Sequence, residues 1–527
     1  MFSPDMNRRQ NLFRLGRCAA ALAWCSLFAA PQTQRTARAV TNLPAGGYPF
    51  TLGVASGIPR SESVVLWTRL APRPHAPLGG LPDAPIAVQW ELALDERFAR
   101  VRRSGSLLAL PEHAHSIHVQ VDGLPSAEVF FYRFRVGDSV SPVGRTRTAP
   151  APDSAPQRLR LALASCQHFE QGAFAAHRDI AEHDIDAVLF VGDYIYESSN
   201  PRYRLRAHEG PVPKTLDAYR ARHATYKLDA DLQAAHAAHP WLLTWDDHEV
   251  ENDYANEHSP SGLTAQEFVL RRAAAYQAYF EHLPIAPGGG TGDAGMRLYD
   301  RFTWGRLAEM WTLDNRQYRS VQACTSRGQP GRVLTDCEEL RDASRSMLGA
   351  AQEQWLARGL ADSERRWKLL GQSTQVSPSG IDSPLGRRIY TDGWDGYPAA
   401  RDRLMQAIQQ ARGGNVLCLG GDVHRHVAAE LRLRPNEATS PIVASEFVCS
   451  SITTRGVSEA VMELMRASNP DIVHGRADER GWALIDVRPD AVRCEFRATP
   501  FPVRAQARLH TQARFVVQHD SPRVLPA

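Results

Sequence analysis

The chain has 527 residues, 43% of them hydrophobic and 23% charged, a composition that can bury a substantial core and excludes an intrinsically disordered protein. A formal net charge of +3 and a pI near 8.4 are small for this size, and no Lys/Arg block after residue 39 forms a nucleic-acid-binding arm. Length alone predicts two or three domains.

Residues 1–39 read as an export signal. Arg8-Arg9-Gln10-Asn11-Leu12 precedes an apolar run over residues 18–30, which is too short to span a bilayer, and Ala37-Arg38-Ala39 offers a small-x-small cleavage site. The paired arginines resemble a twin-arginine signal, with Asn11 where that pattern usually has Phe; an ordinary Sec signal is the alternative. The twin-arginine translocase is then a partner during export, and the expected location is periplasmic or secreted. No later run reaches membrane-spanning length, so no stable membrane span is expected.

Residues 40–152 carry short alternating runs, TLGVASG, SVVLWTRLA, IAVQWELAL, SIHVQVDGL and VFFYRFRVG, separated by turn residues at close spacing. They predict a small all-β, immunoglobulin-like sandwich, left through the Pro/Ala-rich linker TAPAPDSAPQ. Residues 153–527 alternate strands with helices. Helices are predicted over 174–183, over 219–238 as one long stretch, over 265–282 before Pro284, and over 352–361. Strands are predicted in RLAEMWTLD, RRWKLLGQSTQ, NVLCLGGDVH, SEFVCSSITT and WALIDVRPDAVRCEFRAT, while the basic tail beyond Arg504 is weakly patterned. This second region is α/β, a mixed-sheet sandwich with helices outside. Cys324 and Cys337 bracket a polar loop and are the predicted disulfide of an oxidising compartment; Cys418 and Cys449 read as buried thiols.

Four apolar runs end in residues with reactive side chains: LRLALASC at Cys166, DAVLFVGDYIYE at Asp193 and Tyr196, WLLTWDDHE at Asp246 to Glu249, and NVLCLGGDVHRH at Asp422, His424 and His426. In open α/β sheets the carboxyl ends of strands are where ligands bind, so one metal cluster assembled from several strand ends is expected. Asp422 and His424, two apart on an extended end, would project to one side. Clustered carboxylates in WDDHEVEND need neutralising cations; an acidic turn opening a helix accounts for Asp246 or Glu249 but gives no reason for His248. A Cys166 thiolate and a Tyr196 phenolate favour Fe(III), whereas Asp247, Asn252 and Asp422 are oxygen ligands suited to Ca, Mg or Mn. Cys166 as a plain core cysteine is the rival reading.

ASCQ, VGDYIYE, TWDDHEVEN, LDNRQYRS, DGWDGYPAAR and GGDVH follow one another in this chain. In that order they resemble the PhoD-type alkaline phosphatase and phosphodiesterase family of the calcineurin-like metallophosphoesterases, and FTLGVASGIPRSESVVLWTRLAP resembles its β-domain. The resemblance implies a metallophosphoesterase-like β-sandwich flanked by helices over residues 153–527, and one ferric ion with one or two calcium ions, other divalent cations being substitutes. Cys166, Asp193, Tyr196 and His424 match the iron ligands, with Asp193 bridging to calcium. Asp422 matches the calcium side, as does either Asp247 or Asn252. His248 stands at the place of the catalytic histidine, and Arg316 can pair with phosphate or with Asp314. Gln372 stands where a His or Asn ligand is common and is a weaker donor. Arg202, Arg204 and Arg206 follow the central strand, either as phosphate donors or as a solvated loop.

The implied function is hydrolysis of phosphate mono- or diesters by metal-activated hydroxide, in phosphate acquisition, with no side-chain nucleophile. A phospholipase D-like phosphodiesterase acting on lipid head groups and a non-enzymatic surface protein are the alternatives.

Overall fold

The computed structural model describes residues 47–527 except 288–290, 293–294 and 327; the export signal expected over residues 1–39 lies outside the described residues. Two large sheets face one another. The first has ten strands, and its centre is the parallel set Leu159–Ala164, Ala187–Val191 and Pro240–Thr244. The second has seven, with Ala308–Thr312, Trp367–Gly371, Val416–Gly420 and Ile442–Val448 parallel to one another. Unbroken apolar sequence suits these strands because both faces are covered. Leu161, Leu163, Leu189 and Val191 of one sheet meet Leu369, Leu417 and Leu419 of the other in a shared core.

Helices close the outer faces. Ala265–His282 starts at a capping box, Thr264 with Glu267, and buries Phe268, Tyr276 and Tyr279 against the ten-stranded sheet beside Tyr219 and Tyr226. Ala350–Asp362 and Pro398–Gln409 cover the seven-stranded sheet through Leu356, Leu360, Leu404 and Ile408. The expected α/β architecture is thus present: two sheets face to face with helices outside.

Three expectations need correction. The single helix predicted over 219–238 is two helices, Leu216–Lys227 and Ala230–Ala238, because the Asp229 side chain accepts from the backbone N–H groups of Asp231 and Leu232 and starts a new helix there. The tail beyond residue 504 is not unpatterned, since His510–Gln518 pairs antiparallel with Ala491–Pro500 near the edge of the ten-stranded sheet. The helices Pro398–Gln409 and Glu459–Ser468 were absent from the predicted elements.

The front of the chain does form a β-sandwich, around Val64, Leu66, Ile86, Val88, Phe130 and Tyr132. One of its layers is a sheet of its own built on Ile86–Ala93, Val101–Ala109 and Val129–Val136. The other is part of the ten-stranded sheet: Val54–Gly57 pairs parallel with Pro240–Thr244, and Val64–Arg69 and Ser116–Val121 follow it outward. Cys324 and Cys337 form the predicted disulfide, and Cys418 and Cys449 are buried free thiols. Among the described residues no helix is long and apolar enough to cross a membrane.

Candidate metal centre at the strand ends

The parallel strands of both sheets run toward one end of the sandwich, and the predicted residues emerge there. Cys166, Asp193, Asp422 and His424 all have positive φ, between 53° and 63°. Non-glycine residues pay about 1–3 kcal/mol for a conformation of that kind, and such strain gathers at functional sites. The turns brace one another: Cys166 N–H donates to Gly192 O and Gln167 N–H to Asp193 O, each at 3.1 Å. Gly192 lets the strand ends close up, since a Cβ there would sit 2.5 Å from Cβ of Asp246.

Among the described residues ligand atoms converge in three groups, each within 4.8 Å: Cys166, Asp193 and His424; Asp193, Asp247 and His248; and Asp247, Asp253 and Asp392. Asp193 belongs to two of them. The Tyr196 hydroxyl donates to Asp193 Oδ2 at 2.6 Å and lies 3.2 Å from His424 Nε2, so the phenol joins the first group. The other carboxylate oxygen, Asp193 Oδ1, is buried without a hydrogen-bond partner.

Electrostatics follow from this crowding. Burial, with Asp193 and Asp422 adding to it, pushes the Cys166 thiol up; burial, then Asp193, does the same to the Tyr196 phenol. Burial raises Asp193 too, only partly offset by His248. His424 is lowered to about 3 chiefly by burial, which leaves its imidazole neutral and free to bind a cation. A thiol, a phenol and a carboxyl that burial and one another keep neutral would become anionic with a cation bound among them. An orphaned buried oxygen between two such groups fits a bridging metal ligand.

His248 has a different environment. Its Nδ1 is 2.7 Å from Glu197 Oε2, and its ring stacks on Tyr196 at 4.0 Å. Burial alone would lower it, but Glu197, Asp247 and Asp193 outweigh burial and hold it well above the ordinary imidazole range. Glu197 is itself pinned, accepting the Asn252 backbone N–H at 2.9 Å. The sequence reading gave Glu197 no role. Its signal was a carboxylate directly after a buried aromatic run with no basic neighbour.

Other predicted residues fall elsewhere. Arg316 is fully buried, and its guanidinium reaches Asp246 at 2.5 Å, Asp392 at 2.8 Å and Asp247 at 3.6 Å. Surrounded by carboxylates, it has no free face for phosphate, so the expected catalytic role is withdrawn. Nor does its side chain pair with Asp314, which accepts only its backbone N–H. The third ligand group therefore carries its own countercharge in Arg316 and Arg319. The Arg316 guanidinium, with His248 and backbone N–H groups, outweighs burial and keeps Asp247 below the ordinary carboxyl range.

The Asn252 side chain is exposed, and only its backbone is held; of the two candidates, Asp247 is the one whose side chain enters the cluster. Asp422 and His424 do not share one ligand group, because the strand stops at Gly420 and both residues turn left-handed beyond it. The Asp422 carboxylate instead accepts Thr374 Oγ1 at 2.6 Å. Gln372 is turned into a structural network with Asn315 and Trp394. Arg206 pairs with Asp229, while Arg202 and Arg204 are exposed.

Two opposed sheets with outer helices, and thiol, phenol, imidazole and carboxylate donors at the strand ends, define a metallophosphoesterase-like protein. A model of the PhoD-like phosphatase matches residues 161–496, and one of its N-terminal domain matches residues 35–150. Alkaline phosphatase D of Bacillus subtilis (strain 168) is 42% identical over 481 residues, which is 90% of this chain and 81% of that protein. A solved structure of PhoD superimposes with a TM-score of 0.87 at 40% identity, covering 92% of this chain and 93% of that one. The chain belongs to the PhoD-like phosphatase family and is a homologue of a phosphate ester hydrolase.

Proposed function

We propose that this chain hydrolyses phosphate mono- and diesters with a metal-activated water and uses His248 as the acid. The observation that carries the proposal is Asp193: one buried carboxylate is shared by a Cys/Tyr/His group and an Asp/His group, with Oδ1 left unpartnered. Cys166, Tyr196, His424 and Asp193 would hold Fe(III), the ion that suits a thiolate and phenolate set. Asp193, Asp247 and Asp422 would hold calcium, with one or two such ions on that side. When bound, the ions supply polarisation of the phosphoryl oxygens and activation of the attacking water.

The protein's own groups do the rest. Glu197 fixes Nδ1 of His248 as a donor and stabilises its imidazolium, which leaves Nε2 to give a proton to the departing alcohol oxygen. Tyr196, stacked on the imidazole, sets the plane of the ring. Asp193→Asn should remove nearly all hydrolysis of p-nitrophenyl phosphate esters while far-UV circular dichroism stays native. Activity within a few-fold of native would end the site assignment. Elemental analysis of the native protein should find iron and calcium, with a visible thiolate or phenolate charge-transfer band; zinc without iron would reject the metal part.

Residues 1–39 are further proposed to direct export through the twin-arginine translocase to the periplasm or medium. Arg8→Lys with Arg9→Lys should retain the precursor in the cytoplasm, and unchanged export would exclude that route.

A further inference from the structure

Beside the candidate centre lies a group of arginines that the proposed chemistry does not use. Thr454 Oγ1 is 3.0 Å from the Tyr196 hydroxyl, and the next residue, Arg455, extends away from the centre to Tyr203. Its Cζ lies 4.4 Å from the Tyr203 ring centroid, and its Nη1 donates to the Tyr203 hydroxyl at 2.5 Å. Arg202 reaches the same ring, with Cζ 5.5 Å from the centroid. Arg204 follows one residue after Tyr203 and is exposed, as are Arg202 and Arg455. Among the described residues no carboxylate lies within ion-pair distance of these three, whereas Arg206 is paired with Asp229 at 2.5 Å.

The segment that carries them is fixed. Glu170 is buried, and its carboxylate accepts Ser199 Oγ at 2.7 Å and the backbone N–H groups of Asn200 at 2.8 Å and His208 at 3.2 Å. Its carbonyl accepts the Leu205 N–H at 2.6 Å. The Arg455 N–H is held at 2.7 Å by Gln171 Oε1. Two segments, each held in place, thus bring the guanidiniums of Arg202 and Arg455 onto one aromatic ring. Guanidinium forks match phosphate oxygens in pairs, and a backbone already held in place lowers the ordering cost of binding.

We infer that Tyr203 is the floor of a second anion subsite, in which Arg202, Arg455 and Arg204 take a further phosphate carried by the substrate beyond the bond that is cut. The substrate class is a phosphate ester that carries a second phosphate on the same small molecule, a bisphosphate. The Arg455 Cα lies within about 9 Å of the Tyr196 hydroxyl, the reach of one residue step, a Thr side chain and a hydrogen bond, and its side chain extends beyond that, so the second anion would lie several bonds from the ester that is cut. This inference rests on the phosphoesterase reading above.

The test compares the p-nitrophenyl ester of thymidine 5′-phosphate with the same ester carrying a 3′-phosphate. The native enzyme should show a KM about tenfold lower for the 3′-phosphorylated ester at low salt, at similar kcat, with the difference shrinking as salt rises. In the Arg202→Gln/Arg455→Gln variant the two KM values should converge, with kcat on the plain ester within about twofold of native. Equal KM values in the native enzyme, or a preference that survives both substitutions, would overturn the subsite. Arg204→Gln, at an exposed position, should reduce the preference without loss of packing, which covers the case of a misfolded double variant. Calorimetry with the non-cleavable methylenephosphonate analogues of thymidine 5′-phosphate and thymidine 3′,5′-bisphosphate separates the two ideas. Cleavage of neither ester defeats the proposed function, whereas equal binding of the two nucleotides defeats the subsite.

Discussion

Replacing Glu197 by Gln removes one charge and almost no volume. The carboxylate is buried, faces His248 Nδ1 at 2.7 Å and the Asn252 N–H at 2.9 Å, and is the first of the groups that hold the imidazole in its charged form. Gln can still accept one of those two hydrogen bonds but brings no charge. A hydrogen bond to a charged group contributes about 1.5–3 kcal/mol, so an imidazolium that loses it in the reacting complex should lower kcat by roughly 10- to 100-fold. The direction with pH follows from the sign. Glu197 raises His248, so its loss lets the ring deprotonate earlier, and the alkaline limb of kcat should move to lower pH. Because a poor leaving group needs the proton more, the loss should be larger on a phosphodiester with an alkyl alcohol than on one with p-nitrophenolate. Steady-state kcat against pH for both substrates reads these effects. A native-like limb, or equal losses on the two esters, would refute His248 as the acid.

Arg316→Met should cost about 3–5 kcal/mol in denaturant unfolding, because Asp246, Asp247 and Asp392 lose their common buried partner; a loss below about 1 kcal/mol would remove Arg316 from the framework of the site. Lys227 is buried, its Nζ has no hydrogen-bond partner among the described residues, and it lies 4.1 Å from the Trp67 ring centroid. Burial lowers it well below the ordinary lysine range, so near neutral pH the unfolded chain binds the extra proton and stability rises with pH toward the free lysine value. Lys227→Met should therefore stabilise the protein by about 1 kcal/mol at pH 7 and by less near pH 10; a gain independent of pH would show that charge burial is not the cause.

Much of this molecule is legible in single runs of residues. An apolar strand that stops at Gly-Asp, as at Val191, announces a buried strand and a side chain at its end, and Cys166, Asp193, Tyr196 and His424 do converge. Partners distant in sequence are less legible. Arg316 sits four residues after a strand end, and nothing local says that it faces Asp246 and Asp392 rather than substrate. Alternation placed Asp422 and His424 on one side, but left-handed turns at both residues cancel the period of two. The break at Asp229 was written in the sequence as an Asp N-cap and was hidden by helix-compatible residues on both sides. The exposure of Asn252 depends on how the acidic turn rolls, which its own letters do not decide.

The parallel pairing of Val54–Gly57 with Pro240–Thr244 makes the front of the chain a guard for the back. Stripped of that segment, the strand leading to Asp247 and His248 would have an unpaired edge at Pro240 and Trp241, a template on which another chain could add itself. A version trimmed to residues 153–527 would thus lose its protection against self-association at the strand that delivers the acid.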